Sequence, residues 1–534
     1  MNATRPKRFL SKLTYDAEKT AWDAIVIGAG LGGMTAAAKL AKEGKKVLLL
    51  EKHVIPGGYA TCFKRKGFTF EVSLHQTPGF AKKHLFHQVL TELGVLQKLT
   101  PIPLNETFII KTERHTFHMG ATYLDELKEA FPESKEALIK LEKIVENVLH
   151  QSNRLFPYMF LPDVFYNLCA RIIAPDLFKY KNKTLEDLLN EFCPEHNLLK
   201  QLISILWGYL GLPLNKISAI LYLLEWGGFM KEGIYYLKGT SQALSNAFIE
   251  RFEDMGGQLV LMEKVEKILL EKNTVVGVRS RTVKHNGQGE AHEFKAPVVI
   301  SNANPILTYY HLVGKERIPQ HLIHQIDQME VSASATVLYI GLDCKLSDLT
   351  QHDYHSINID VMKPDSDMNK WFEDVKNGTH KGTGCLTDYS AVDPDLAPPG
   401  KSSLMAINID FLSNWEHLSD QEYKQKKIEK TQEIIEHINS AIPGFKDHVE
   451  LTELGTPRTM ERYTSNYLGA FNGFAYTTER VGIGKGGLDA KSPINGLYLC
   501  GAWIGGISGG YSGSVPNGYF TAQLALRKGP WKKS

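Results

Sequence analysis

The order of apolar and polar positions near the start of the chain predicts one βαβ unit. Residues 24–27 form an apolar run that ends at a glycine, as a buried parallel strand does. Residues 34–43 are rich in Ala, Leu and Lys and stop at Gly44, which suits the end of a helix. A second apolar run over 46–50 completes the unit.

Two later stretches are apolar and are predicted to be helical. Residues 155–178 carry many aromatic and aliphatic side chains broken by prolines, and residues 203–230 contain Trp207 and Trp226 between polar interruptions. Neither reaches the roughly 20 uninterrupted apolar residues of a transmembrane helix. The stretches predict the lining of an apolar cavity or a segment that dips into a membrane surface, and an ordinary buried helix pair is the alternative.

Mixed α/β character returns after Gly239 and continues towards the C-terminus. Helices are expected over 243–254 and 426–442. Strands are expected over 258–261, 264–270, 275–280, 297–301, 331–344 and 402–412. With 534 residues, the chain exceeds the size at which one core stops growing, so two interleaved domains are expected.

Composition narrows the expected partners and location. A formal net charge of +2 gives no global signal for nucleic acid. Six scattered cysteines without a CxxC pair or zinc spacing predict a reducing compartment and no metal site. No apolar run precedes Ala24, so a cytoplasmic location is predicted. Basic tails favour peripheral contact with an anionic membrane surface or are merely solvated ends: Arg5, Lys7, Arg8, Lys12, Arg527, Lys528, Lys532 and Lys533.

The sharpest motif follows the first predicted strand and opens the first predicted helix. Gly28, Gly30 and Gly33 fit GxGxxG, in which the first glycine permits a tight turn and the second lets a pyrophosphate approach the backbone. The third glycine lets helix and strand pack closely, and the helix N-terminus attracts phosphate. Glu51 ends the second strand, where a carboxylate accepts ribose hydroxyls and disfavours a 2′-phosphate. The motif predicts a dinucleotide site, which by itself is either FAD or NAD.

Motifs further along resemble the FAD-binding superfamily of amine oxidases and phytoene desaturases. The segments Pro56-Gly57-Gly58-Tyr59-Ala60-Thr61 and Gly67-Phe68-Thr69-Phe70-Glu71-Val72 carry the resemblance, and the branch of carotenoid isomerases, retinol saturases and phytoene desaturases is the most similar. Tyr59 stands where many relatives have arginine, and Glu71 stands where they usually have aspartate. The resemblance extends to residues 233–239, 265–268, 301–305, 456–464 and 496–502.

This resemblance implies non-covalently bound FAD and an α/β fold. It implies a discontinuous Rossmann-like FAD-binding domain over 20–100, 235–305 and 485–530, interleaved with an α+β substrate domain over 101–234 and 306–484 whose residues 150–230 form an apolar helical region. The implied cofactor-binding residues are Gly28, Gly30, Leu31, Gly32, Gly33, Glu51, Lys52, Gly57, Gly58, Tyr59, Ala60, Thr61, Val265, Asn302, Gly501, Ala502, Ser514 and Val515.

A last helix is expected from Ser514 to about Arg527, with Ser514 as N-cap and Pro516 in the first turn. The resemblance implies that this helix points its N-terminus at the flavin pyrimidine. The glycine-rich residues 482–487 lack a preceding strand and are expected to be a plain loop. Because no second nucleotide fold is predicted, NAD(P)H is expected to act only as an external reductant.

The expected chemistry is flavin redox on the C–C bonds of a long apolar substrate, such as a polyene, isoprenoid or fatty acyl chain, as desaturase, saturase or isomerase. His75, Glu71, Tyr511 and Trp503 adjoin the cofactor segments and are the catalytic candidates, with plain packing as the alternative for each. A flavin amine oxidase and a non-catalytic, FAD-stabilised lipid-binding protein stay open as alternatives. The substrate, the direction of reaction, the electron partner and the oligomeric state are left open.

Overall fold

A five-stranded parallel sheet lies at the centre of the computed structural model, which describes residues 20–155, 163–284, 289–351, 355–359, 367–380, 384–481, 486–505 and 509–530. The strands are β1 (Ala24–Ile27), β2 (Val47–Leu50), β3 (Cys62–Arg65), β4 (Phe68–Glu71), β5 (Pro101–Leu104), β6 (Glu106–Lys111), β7 (Thr116–Gly120), β8 (Ile234–Leu237), β9 (Gln258–Val260), β10 (Glu263–Glu271), β11 (Thr274–Thr282), β12 (Ala291–Lys295), β13 (Val299–Ser301), β14 (Ser334–Leu342), β15 (Ser356–Asn358), β16 (Cys385–Asp388), β17 (Ser402–Asp410), β18 (Val449–Gly455) and β19 (Leu497–Leu499).

Helices connect and cover these strands. The α-helices are α1 (Leu31–Lys42), α2 (Leu85–Glu92), α3 (Tyr123–Ala130), α4 (Lys135–Leu155), α5 (Asp163–Ile173), α6 (Pro175–Tyr180), α7 (Leu185–Phe192), α8 (Asn197–Ile203), α9 (Trp207–Leu210), α10 (Ala219–Lys231), α11 (Thr240–Asp254), α12 (Gln320–Gln328), α13 (Leu346–Thr350), α14 (Met368–Lys376), α15 (Asp420–Ala441), α16 (Pro457–Thr464) and α17 (Gly510–Lys528). Residues Leu307–Gly314 form a π-helical turn, and short 3-10 helices join several of the other elements.

The central sheet has the order β19-β13-β1-β2-β9, so its neighbouring strands come from distant parts of the chain. Every residue of β1 and β2 is buried, which explains why these strands are continuously apolar rather than alternating. The predicted βαβ unit is confirmed, although α1 begins at Leu31, three residues earlier than expected. It begins there because Gly30, in an extended conformation, ends the turn as N-cap. The predicted Rossmann-like α/β fold class is therefore confirmed.

Two further large sheets accompany the central sheet, one antiparallel and one mixed. β10, β11 and β12 form an antiparallel sheet, and the order of the seven-stranded mixed sheet is β18-β14-β17-β16-β15-β6-β7. The sequence strands expected over 331–344 and 402–412 are β14 and β17, which pair with each other along nine residues each. Helix α15 covers the face of this sheet that buries Ile340, Leu404 and Trp415.

Helices α5 and α6 cover much of the first apolar stretch that the sequence predicts as helical, and α9 and α10 cover much of the second. Trp226 and its neighbours on α10 are buried in the same core cluster as side chains of α4 and α8. Residues 156–162 of the first stretch lie outside the described part of the chain. Across the part that is described, no helix combines the length and the apolar character needed to cross a bilayer.

The last helix differs from its sequence prediction. Helix α17 begins at Gly510 with Gly509 as N-cap, so Ser514 lies in its second turn and Pro516 lies inside the helix. The prediction of Ser514 as N-cap and of Pro516 in the first turn is wrong, because the glycine-rich segment 509–513 itself enters the helix. Its predicted end is confirmed, since the helix stops at Lys528 and Gly529 follows.

Helices α17 and α1 cross at a close backbone contact. A methyl group built on Gly518 of α17 would lie 2.1 Å from the carbonyl oxygen of Gly32 on α1. Such a distance is far below any real contact, so only glycine permits this crossing. The crossing fixes the last helix over the first helix of the central sheet.

We expect Gly518→Ala to destabilise the fold by about 1–3 kcal/mol, because the added methyl group must push the two helices apart. The measurement is chemical denaturation of the variant and the wild type. Gly208→Ala is the matched control, since a methyl group there meets nothing within 4 Å. A Gly518→Ala protein as stable as the wild type would contradict the close crossing.

Candidate functional site

A cavity of about 1150 Å³ opens at the carboxyl ends of the central parallel strands. Gly28, Glu51, Asn302 and Gly501 each lie just after one of these strands, and all of them line the cavity. Ligands of open α/β sheets bind at this edge. The cavity continues from the strand ends to side chains of α9, α10 and α14, so one space joins the glycine turn to the helical part of the chain.

The glycine turn brings several backbone segments unusually close together. A methyl group built on Gly32 would lie 2.7 Å from Cα of Gly501, and one on Gly33 would lie 2.0 Å from the carbonyl oxygen of Gly28. Gly57, at a φ of +133°, pairs with Gly30 in an isolated bridge, and its N–H donates to the carbonyl of Ala29 at 2.8 Å. The second glycine pair is thus positioned against the first motif, as the sequence resemblance implied.

The first turn of α1 faces this cavity. Its first intrahelical bond runs from Met34 N–H to Gly30 C=O, and the preceding residues Leu31 and Gly32 line the cavity. The leading N–H groups of a helix have no carbonyl partner within the helix, and they carry the positive end of the dipole. Together with the absence of Cβ atoms at Gly30 and Gly32, this geometry fits the pyrophosphate of a dinucleotide.

Glu51 is held rigidly at the end of β2. Its Oε2 accepts from Ala29 N–H at 2.8 Å, and its Oε1 accepts from His53 N–H at 2.8 Å. A carboxylate has about four acceptor positions, so two remain for ribose hydroxyls. Two backbone N–H groups, one of them in the glycine turn, therefore fix the orientation of the Glu51 carboxylate.

Most of the implied cofactor-binding residues line this one cavity. They are Gly28, Gly30, Leu31, Gly32, Glu51, Lys52, Gly57, Gly58, Tyr59, Ala60, Val265, Asn302, Gly501, Ala502 and Ser514. Gly33, Thr61 and Val515 are not among the lining residues. Gly33 supports the turn, the Thr61 hydroxyl donates to Gln242 Oε1 at 2.6 Å, and Val515 is fully buried in the core.

Tyr59 takes the place of the arginine found in many relatives. Its phenol donates to the carbonyl oxygens of Gly469 and Ala470, at 3.3 and 3.2 Å, and burial raises its pKa to about 12. The side chain therefore joins the glycine pair to the segment after α16 as a neutral group. Lys52 Nζ likewise donates to Ser465 Oγ at 2.5 Å, and burial lowers the pKa of this lysine.

Glu71 does not line the cavity. It is fully buried, and its carboxyl group accepts from the N–H groups of Val72 and Ser73 and from both the N–H and the hydroxyl of Ser241. Burial raises the pKa of Glu71 in spite of these bonds. Its observed contacts connect β4 to α11, which is a positioning role rather than direct contact with a ligand.

His75 lines the cavity but is neutral at neutral pH. Its Nδ1 lies 3.0 Å from Thr387 Oγ1, and its ring meets the edge of Tyr209 at a centroid distance of 5.9 Å. Burial, with a smaller contribution from His355, lowers the pKa of His75 to about 3. An imidazole of this kind offers a hydrogen bond, whereas the sequence argument assumed a histidine that titrates near neutral pH.

Tyr511 and Trp503 both line the cavity and are both held by hydrogen bonds. The Tyr511 hydroxyl lies 2.9 Å from Ser73 Oγ, and burial raises its pKa. The Trp503 indole donates to Asn466 Oδ1 at 3.0 Å and packs edge-on against Phe474. Tyr511 and Ser512 belong to the first turn of α17, so the positive end of that helix faces the cavity earlier in sequence than Ser514.

The far part of the cavity has an aromatic wall that motif analysis did not single out. The Tyr209 and Phe229 rings are stacked at 6.1 Å, and Trp207 meets Trp371 edge-on at 4.8 Å. Other apolar residues of this chamber are Phe108, Leu210, Met368, Ile407, Ile409 and Phe471. These residues come from six separate parts of the chain, so the apolar stretch 203–230 indicated only one side of the chamber.

Glu225 is the titratable group that sequence reasoning passed over. It lies one helical turn before Phe229 on α10, and both side chains line the cavity. Burial raises its pKa to about 7, so about half of the carboxyl groups carry a proton at neutral pH. The signal in the sequence was a single glutamate inside the apolar run 220–230, which interrupts a segment that is otherwise hydrophobic.

Comparisons with known proteins place this geometry in context. Residues 26–93 match the family model of the NAD(P)-binding Rossmann-like domain. The chain is 27% identical to all-trans-retinol 13,14-reductase of Danio rerio over 93% of this chain and 85% of that protein. It is 29% identical to chloroplastic prolycopene isomerase 1 of an Oncidium hybrid cultivar, over 91% of this chain and 80% of that protein.

A solved structure of putrescine oxidase with bound putrescine shares the fold, with a TM-score of 0.60 and 14% identity over 95% of this chain and 99% of that chain. The shared fold and the family match define the class, which is a protein with a Rossmann-like dinucleotide-binding unit that opens on one large cavity. The resemblance to carotenoid isomerases and retinol saturases is confirmed, since the similarity to these relatives spans most of the chain.

We expect Glu225→Gln to change how stability depends on pH. Glu225 holds its proton more tightly in the folded state, so its contribution to stability is full at low pH and is lost as the pH rises from about 4.5 to about 7. The variant should match the wild type at pH 4 and exceed it at pH 8 by up to about 3 kcal/mol. Denaturant unfolding at both pH values measures this difference, and equal pH dependence of the two proteins would contradict the assignment.

Proposed function

We propose that this chain binds FAD non-covalently and acts as an oxidoreductase on C–C bonds of a long apolar substrate of the polyene class. The observation that carries the proposal is the single cavity that joins a dinucleotide-binding glycine turn to an aromatic chamber. The reaction class is desaturation, saturation or double-bond isomerisation. The names of the relatives, a retinol 13,14-reductase and a prolycopene isomerase, support this substrate class.

The size of the cavity supports two ligands. Its volume of about 1150 Å³ exceeds the roughly 300–1,000 Å³ of ordinary ligand pockets. The glycine turn, the first turn of α1 and Glu51 fit an adenosine diphosphate moiety. The stacked Tyr209 and Phe229 rings and the neighbouring aliphatic side chains offer an extended apolar surface, so a second, water-insoluble ligand fits the remaining space.

FAD, when bound, supplies hydride transfer at a position where substrate carbon and isoalloxazine ring meet. The residues of the chain hold and orient the reactants around it. The first turns of α1 and α17 present N–H groups and positive dipole ends to phosphate and to developing negative charge. The neutral imidazole of His75 and the phenol of Tyr511 lie at the junction of the two parts, where they exclude water and fix the orientation of ligands.

A flavin amine oxidase is the second candidate, because a putrescine oxidase shares the fold. Such an enzyme needs a polar site for its amine. Glu225 and Asp367 are carboxyl groups at the helical end of the cavity, and burial raises the pKa of Glu225. The aromatic and aliphatic side chains of the chamber therefore favour a polyene over an amine as the substrate.

The function is tested on the purified full chain by anaerobic flavin spectroscopy. We expect a flavin spectrum that bleaches with dithionite, release of FAD on denaturation, and conversion of a polyene in a panel of polyenes, lipids and amines. A product two mass units from the substrate indicates desaturation or saturation, and equal mass with a changed absorption spectrum indicates isomerisation. Turnover of amines in place of polyenes supports the second candidate, and bound flavin that nothing in the panel reduces or oxidises supports a non-catalytic lipid-binding protein.

We expect His75→Asn to lower turnover by about tenfold with FAD content unchanged, because the change removes a neutral imidazole that orients ligands by hydrogen bonding. Because the pKa of His75 is about 3, its titration should not appear near pH 6.5 in the pH dependence of the wild-type rate. The wild type and the variant should therefore have pH profiles of the same shape around that pH. His84→Asn is the matched control, since His84 is also buried but caps α2 outside the cavity, and asparagine preserves a cap. Unchanged turnover in His75→Asn would remove His75 from the reaction.

A further inference from the structure

One helix displays a row of large apolar side chains on the surface of the protein. Phe165, Leu168 and Ile172 of α5 have 59%, 56% and 74% of their surface exposed. Their spacing of three and four residues places them on one side of the helix, hereafter the α5 face. Ala170, on the other side, is fully buried against the helical core. The helix therefore carries apolar side chains on two sides, one packed in the core and one facing solvent.

Cationic side chains lie beside the α5 face. The Arg171 guanidinium and the Lys181 ammonium both lie over the Phe178 ring, at 4.8 and 4.2 Å from its centroid. Lys179 and Lys183 follow on the same segment, where they pair with Glu191. Because Glu191 offsets the charge of Lys179 and Lys183, Arg171 and Lys181 are the cations that flank the row. An exposed apolar row flanked by cations complements an anionic lipid surface.

The α5 face is connected to the cavity wall through two helix contacts. Helix α5 packs against α4, and α4 packs against α10, which carries the cavity-lining residues Glu225 and Phe229. The apolar row thus belongs to the same helical layer as the aromatic chamber. A water-insoluble ligand would have a short path between a bilayer and this layer.

We propose that the α5 face inserts into the boundary between headgroups and acyl chains of an anionic bilayer. This inference is independent of the proposed function, because it rests on the outer surface of the helix. Of the two apolar stretches for which the sequence predicts membrane contact, it selects the first, which contains α5, since most apolar residues of α10 in the second are buried. A second copy of the chain is the competing occupant. A stable dimer commonly buries about 800 Å² and 20–30 residues on each partner, which exceeds one face of an eleven-residue helix.

The test is flotation of the purified full chain with vesicles of phosphatidylcholine alone and with 30% phosphatidylserine, about the anionic share needed for electrostatic attraction. We expect the wild type to float with the anionic vesicles and to lose at least half of this binding in high salt. The triple variant Phe165→Ser/Leu168→Ser/Ile172→Ser should bind at least tenfold more weakly. Because all three side chains are exposed, folding should be preserved, which the thermal unfolding curve checks.

Matched single variants separate this surface from general effects. Ile172→Ser should weaken flotation several-fold, whereas Ile428→Ser, an exposed isoleucine on α15, should leave it unchanged. Lys181→Gln, which removes an ammonium over the Phe178 ring, should weaken binding to the anionic vesicles. Lys315→Gln, which removes an ammonium over the Tyr310 ring, should not. A wild type that does not float, or a triple variant that floats equally well, overturns the proposal. A concentration-dependent dimer that the triple variant abolishes, without lipid binding, assigns the face to a second copy instead.

Discussion

The close approach of backbone segments around the glycine turn is the constraint on which the rest of the structure depends. Gly32 lies against Gly501 on one side and against Gly518 on another, so the start and the end of the chain meet at glycines, with the Asn302 side chain packed beside them. This contact aligns the carboxyl ends of β1, β13 and β19 and sets the position of the last helix. The dinucleotide site is a consequence of this packing, because the N–H groups of α1 are exposed only where Cβ atoms are absent.

A second organising feature is the low polarity of the interior beside that turn. The titratable groups there are shifted towards their neutral forms by burial, as the lowered pKa of His75 and the raised pKa of Glu225 show. Glu71 is held by at least four hydrogen bonds and is screened from the cavity. The chamber therefore presents shape, aromatic surface and neutral hydrogen-bonding groups, which suits a cofactor that performs the chemistry itself.

Features that depend on a short run of residues could be predicted from the sequence, whereas features that depend on contacts between distant residues could not. The βαβ unit, Glu51 and the glycine pair could be predicted because each depends on a short motif with fixed spacing. The predicted start of α17 was wrong because glycines, which usually precede a helix, lie in its first turn here. The apolar stretch 203–230 predicted one side of the aromatic chamber, but its other sides could not be located, since Phe108, Tyr209 and Ile407 meet only after the seven-stranded sheet and the helices have packed.

The strand order of the central sheet also bears on how the protein is made in a cell. β1 leaves the ribosome early, yet its neighbour β13 follows more than 270 residues later and β19 later still. Long-range parallel pairing of this kind is slow, and its unpaired edges are prone to aggregate until the partner strand arrives. The nucleotide site therefore cannot be completed until almost the whole polypeptide has been synthesised. Cofactor capture would be one of the last events of folding, and a shortage of cofactor would leave an otherwise finished chain exposed to quality-control proteases.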